Sequence, residues 1–269
     1  MALRFSTAFI NAIAANGSYK DVLDNGSIEI YTGTQPTNPD AAVTGTLLVA
    51  LTSNAGAKTD EVRGTGVLTI SGTTSGSIDT CTLMGIDILG GAVTHTGDNN
   101  TLATAVALKI NRNPANKLVV ASTTGASGVI TLTAHPGLGA TLNSGALTFT
   151  ATTTTAAVTS TSFGSGTGGS VAGVNAVNGL KLDYNAVAGA ITKDVTQTWS
   201  GTAANSGTAG WFRYKGSVAD AGALDSSAVF LRMDGAVATS GGQMNMSSTS
   251  ITAAALQTLS TFSFTIPAA

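Results

Sequence analysis

The chain has 269 residues, of which 43% are hydrophobic, 5% aromatic and only 10% charged, with a formal net charge of −2. Its 12 Lys and Arg are scattered along the whole length, which excludes a clustered phosphate-neutralising surface and so nucleic acid as a partner. One cysteine, Cys81, excludes an intramolecular disulfide or a cysteine-based zinc site, and no run approaches the ~20 apolar residues of a membrane span.

The first segment, "MALRFSTAFINAIAANG", faintly imitates a signal peptide, but Ser6, Thr7 and Asn11 interrupt its apolar run. Phe5, Phe9 and Ile13 recur every four residues beside Ile10, which predicts an amphipathic helix stopped by Asn16-Gly17. Asn25-Gly26 then turns the chain into "SIEIY", a strand with Ile28 and Ile30 on one face and Glu29 and Tyr31 on the other. A polar loop with Pro36 and Pro39 leads to "TLLVALT", a short apolar strand.

The composition changes after Gly56. "GVLTISG", "CTLMGIDILGG" and "AVTHT" read as strands, and "TLATAVALKIN" as a helix with Leu102, Val106 and Ile110 on one stripe and capping oxygens from Asp98 to Thr101. "KLVVAS", "GVITLTA" and "GALTFTAT" follow as strands. This string predicts a compact α+β module over 57–155. The Ser/Thr/Gly-rich run 156–171 has a linker's composition. It holds Gly164, Gly166 and Gly169 at GxGxxG spacing, without the preceding strand and following helix that a dinucleotide site needs.

From residue 172 onward the chain resumes the pattern of its first 56 residues. "GLKLDYNA", "GAITKDV", "TQTWSG", "GWFRYKG", "AVFLRMDG" and "TFSFTIPA" read as short strands at regular spacing. Residues 1–56 cannot close a sheet alone. The predicted architecture is therefore mainly β: a β-sandwich or jelly-roll-like base domain built from 1–56 and 172–269, with a small α+β domain inserted in a surface loop.

"GTAGWFRYKG" is the densest knot of aromatic and basic side chains. Strand alternation points Phe212 and Tyr214 into the core and leaves Trp211, Arg213 and Lys215 on the other face. Two readings of that second face stand: a Trp packed under a loop and stacked by Arg213, or a subunit contact through Trp211, Arg213 and Lys215.

No catalytic, cofactor or metal set emerges. His95 and His135 lie in Thr-rich segments with no GxSxG elbow in the chain, and the spacing of Asp79, Asp87 and Asp98 does not match a calcium loop. A polysaccharide-cleaving enzyme would want paired carboxylates and an aromatic groove, and the inserted module has only Phe149. Cys81 reads as a small buried hydrophobe.

The runs "MALRFSTAFINAI", "NGSIEIYTGTQPTNPDAAVTGTLL", "TWSGTAANSGTAGWFRYKG" and "RMDGAVATSGGQMNMSSTSI" resemble a family of small virion proteins of tailed bacteriophages. The resemblance covers about 1–56 and 172–269. The middle departs from it, and "GIDILGGAVTHTGDNNTLATAVALKINRN" resembles β-rich modules added to phage tail and surface proteins. What the resemblance implies is a non-enzymatic virion structural protein, made in the host bacterial cytoplasm and needing no cofactor. It would be a capsid decoration protein that binds the shell and projects its inserted domain; the alternative is a tail component such as a tube, collar or fibre-associated protein. Its partners would be other copies of itself and capsid or tail proteins, with host-surface contact through the insert.

Overall fold

The computed structural model describes residues 3–15, 18–72, 75–95, 97–123, 125, 128–143, 145–152, 157–160, 175–183 and 185–265. Strands take 41% of the chain and helices 12%, so the protein is mainly β, with antiparallel sheets in a β-sandwich-like arrangement. The chain divides into two compact units. Residues up to Asp60 and from Ala176 onward make a base unit, and Glu61–Asn175 make the second.

The first arm of the base unit runs β1 (Arg4–Phe5), α1 (Thr7–Ala15), α2 (Tyr19–Leu23), β2 (Ser27–Thr32) and β3 (Leu47–Ser53). Phe9 is buried and Ile13 packs against the core, as the four-residue stripe predicts, while Phe5 sits in β1 and stacks on Phe9 at 4.6 Å. The Asn16-Gly17 stop lies outside the described residues. Helix α2 is an addition to the elements predicted from sequence. Its signal is a capping box: Ser18 Oγ accepts from the Asp21 N–H, and the Asp21 carboxylate accepts from the Ser18 N–H.

The second unit contains β4 (Thr65–Ser71), β5 (Ser77–Leu83), β6 (Ile86–Asp87), β7 (Val93–Thr94), α3 (Asn99–Arg112), β8 (Val119–Thr123), β9 (Val129–Ala134), β10 (Leu147–Thr152) and β11 (Ala157–Ser160). Two four-stranded sheets form, β10-β5-β6 with β7 beside β5, and β11-β4-β9-β8. Leu102, Val106 and Ile110 of α3 pack with Leu68, Ile130 and Leu132 in one apolar core. Asp98 caps α3 by accepting from the Thr101 N–H at 2.8 Å.

Two expectations for this unit are corrected. "CTLMGIDILGG" is a hairpin and not one strand. Met84 (φ 51°) and Gly85 (φ 81°) make a two-residue turn that sets Leu83 opposite Ile86, the left-handed pair that hairpin twist demands. The 156–171 linker is also shorter than its composition implies, because Ala157–Ser160 pairs with β4 as β11. Its remaining residues, with the GxGxxG spacing, lie outside the described residues.

The second arm of the base unit runs β12 (Ala190–Thr192), β13 (Trp199–Thr202), β14 (Gly207–Lys215), β15 (Arg232–Ala238), β16 (Met244–Asn245), β17 (Ser250–Ile251), β18 (Leu256–Leu259) and β19 (Ser263–Thr265). Among its described residues, "GLKLDYNA" supplies no strand. It makes single bridges at Leu180 and Leu182, both buried. The large sheet has the order β1-β15-β14-β2-β3-β13-β18, with β16 beside β15 and β17 beside β14, while β12 and β19 pair separately. Strands β2 and β3 of the first arm thus lie between β14 and β13 of the second. Ile28, Ile30, Leu51, Trp199, Phe212, Tyr214 and Met233 line the inner face and meet Phe9, Phe262 and Phe264. At ~1.5–3 kcal/mol for each large apolar side chain removed from water, this face is the main stabilising element of the unit.

Candidate functional site

Among the described residues, the outer face of the large sheet carries the most concentrated set of paired charges. Period-two alternation puts Ser27, Glu29 and Tyr31 of β2 there, beside Trp211, Arg213 and Lys215 of β14 and Arg232 and Asp234 of β15. A bulge between Ala209 and Trp211 fixes the parity of β14. It is built at Gly210, where a Cβ would lie 2.0 Å from the Gly33 carbonyl oxygen.

Arg213 stands directly between Glu29 and Asp234 in the register. Its Nε and Nη2 donate to the two Asp234 oxygens at 2.8 and 2.7 Å, a bidentate fork with both side chains fully buried. Arg232 makes the same fork with Asp220, 2.7 Å on each arm. Lys215 pairs with Glu29 at 2.5 Å, and the Tyr31 hydroxyl donates to the same carboxylate. Trp211 stacks on Tyr31 with ring centroids 4.7 Å apart, and the Arg213 guanidinium lies 5.5 Å from the Trp211 ring.

These cations also fasten two covering loops, 33–45 and 217–231. Arg213 donates to the Ala41 carbonyl at 3.1 Å, and Arg232 to those of Pro39 and Ala223 at 3.1 and 2.8 Å. Lys215 donates to the Asp220 carbonyl at 2.9 Å. The loops join each other where the Val43 N–H donates to the Gly222 carbonyl.

Of the two readings of this face, the structure bears out the covered Trp stacked by Arg213 and corrects the subunit contact through Trp211, Arg213 and Lys215. Trp211 and Arg213 are 0% exposed and Lys215 6%. Their partners are residues of this same chain, so these side chains present no free surface for a subunit contact. Placing Phe212 and Tyr214 on the opposite, apolar face agrees with the structure. Arg and Lys are tolerated at full burial because carboxylates and loop carbonyls satisfy them.

Burial works to raise the carboxyls of both forks, with different results. At Asp220 the Arg232 hydrogen bonds, the Gly222 N–H and the cations Arg232 and Lys215 outweigh it, and the pKa is lowered. At Asp234 desolvation exceeds the pull of Arg213, and the pKa is raised. Burial and the Glu29 charge push the Tyr31 hydroxyl well above its ordinary range.

Beyond the loops the outer face opens into a polar cleft of about 450 Å³. Its floor is Ala50 and Thr52 of β3 with Gly201 and Thr202 of β13. The charged side chains around it are paired: Lys215 with Glu29, Lys58 with Asp60 at 2.5 Å, and Asp220 with Arg232. Lys58 also donates to the Ser217 carbonyl, and the Thr52 hydroxyl to the Gly56 carbonyl. Chemically, the arrangement holds two loops on a sheet and leaves a shallow surface of hydroxyls and spent charges.

The residues weighed for chemistry do not come together. His95 and His135 belong to the second unit. The His95 ring nitrogens are shielded from solvent and, among the described residues, lack a hydrogen-bond partner, and His135 is engaged. Among the described residues, no group of three or more His, Cys, Asp and Glu side chains is placed to hold a metal ion. Asp79 accepts from Ser77, Asp87 from the Cys81 and Leu89 N–H groups, and Asp98 is a helix cap. Cys81 is fully buried, and burial with the Asp87 charge pushes its thiol up to about 12.

Sequence reasoning missed Asp220, Arg232 and Asp234. Opposite charges at alternate positions of "RMDG", set against "WFRYKG", were the available signal. No protein-family model, curated protein or solved structure matches the chain.

Proposed function

We propose that the protein is a non-enzymatic structural protein of a tailed-bacteriophage virion. It acts as a capsid decoration protein whose base unit binds the shell, and its second unit is an added surface module. One observation carries this reading. The two sequence stretches that resemble small phage virion proteins, although separated by more than a hundred residues, interleave in a single sheet, with β2 and β3 seated between β14 and β13. The departing middle stretch forms a compact unit of its own. A domain that accepts a foreign module in a loop keeps its own strand pairing, because closing a longer loop costs little. The paired charges around the cleft support the non-enzymatic part of the reading, since each is held by a partner rather than poised for proton transfer.

The test is to separate heads from tails of the virions that carry this protein and find it by mass spectrometry, then to image the heads by cryo-electron microscopy. Copies in repeating positions on the shell are the expected result. Recovery with tails alone would favour a tube, collar or fibre-associated role, and absence from both would overturn the reading. Turnover of polysaccharide or peptidoglycan by the purified protein would overturn its non-enzymatic part.

A further inference from the structure

An open sheet ends in edge strands whose outward N–H and C=O groups need partners, and proteins blunt such edges with short strands, charges, proline or covering side chains. This protein treats its edges unequally. In the second unit β8 is capped from α3. Asn111 Nδ2 donates to the Ala121 carbonyl at 2.8 Å, and Asn111 Oδ1 accepts from the Ala121 N–H at 2.8 Å. In the base unit one end of the sheet is β1, two residues long and carrying Arg4.

The other end is β18, four residues long, and among the described residues no charge, proline or capping side chain protects it. Leu256-Gln257-Thr258-Leu259 pairs with β13 on one side and, among the described residues, with no strand on the other. Leu256 is 63% exposed, and Thr258, Ser260 and Thr261 are exposed too. From Gly235 to Thr265 the sequence contains no charged residue and no proline. Leu256 stands opposite Thr202 on the outer face, at the rim of the cleft.

We propose that β18 pairs antiparallel with β18 of a second copy of this chain, continuing the large sheet through both subunits. A second copy is the fitting occupant because an uncharged edge meets its own image without like-charge repulsion. The contact is isologous and closes at two subunits. A head-to-tail chain through β1 would have to pair a four-residue edge with a two-residue one bearing Arg4. Pairing also covers Leu256. The dimer is expected of the purified protein in solution and does not depend on the virion reading.

Sedimentation velocity of the full chain over a concentration series tests it, alongside hydrogen exchange of the 256–259 segment. The expected result is a reversible dimer, with 256–259 amides that gain protection as concentration rises. Leu256→Lys with Thr258→Lys places like charges across the two-fold and should weaken the dimer by about tenfold or more, with the unfolding transition retained. Val195→Lys, at an 84% exposed position elsewhere, should leave the dimer intact. A wild-type protein that stays monomeric would overturn the proposal, and so would a dimer indifferent to the paired lysines. If the double variant fails to fold, exchange in the wild type decides: protection at 256–259 that ignores concentration overturns it.

Discussion

The inner and outer faces of β14 are equally buried and are held by different physics. Inward, Phe212 and Tyr214 meet Trp199 and Phe262 ring to ring, in contacts that depend on shape and area removed from water. Outward, Arg213 and Lys215 are closed off by loops that they fasten themselves, through bonds whose donors and acceptors must all be met. An apolar face tolerates loss in proportion to volume. A buried ionic face fails when one partner goes and can be relieved by removing the other as well.

The sharpest way to break the comparison is to truncate one residue on each side. Both tryptophans, Trp199 and Trp211, lie in the base unit, so their fluorescence reports its unfolding by denaturant. Phe212→Ala should cost about 3–5 kcal/mol, the range for a buried phenylalanine. Arg213→Met should cost about 3–5 kcal/mol for the opposite reason, by leaving Asp234 buried without its cation.

The double variant Arg213→Met with Asp234→Leu distinguishes the two mechanisms. It should recover at least about 1–2 kcal/mol of the single loss, because no uncompensated charge remains. No second substitution beside Phe212→Ala should do the same without refilling its cavity. A double variant as unstable as Arg213→Met alone would show that the fork matters for shape rather than charge.

Acid should separate the two forks. The Asp220 pKa is lowered in the fold, so its contribution is complete above the unfolded value of ~3.9 and is lost as pH falls through the folded one. Asp234 is raised, so the fold favours its protonated form, and stability falls as pH rises from ~3.9 through its folded value. A pH series of unfolding midpoints should therefore show Asp220→Asn flattening the acid limb. Asp234→Asn should steepen the remaining loss on acidification.

The smallest expected effect lies at the cleft rim. Lys58→Ala removes an ion pair whose partner Asp60 is half exposed, and it should change stability by about 0–1 kcal/mol. A larger loss would mean that the Lys58 bond to the Ser217 carbonyl, and not the ion pair, holds that loop.

Much of this was legible in local sequence. The four-residue stripe of the first helix, the Asp98 cap and apolar stripe of α3, and the alternation in "SIEIY" and "WFRYK" all act over a few residues, where periodicity and capping chemistry are decisive. Strand β18 was not legible, because "LQTL" in a run of Ala, Ser and Thr has no alternation to mark it, and β13 alone makes it a strand.

The sequence by itself determined the β character, the shared composition of both chain ends, and the division of β14 into two faces. Only the tertiary structure decided what the outer face is. Arg213 and Lys215 looked exposed because their neutralising groups are Asp234, 21 residues on, and Glu29, in the other arm of the chain. Burial of a charge is set by the partners that meet it in space, and a linear sequence does not show which carboxylate a strand register will deliver.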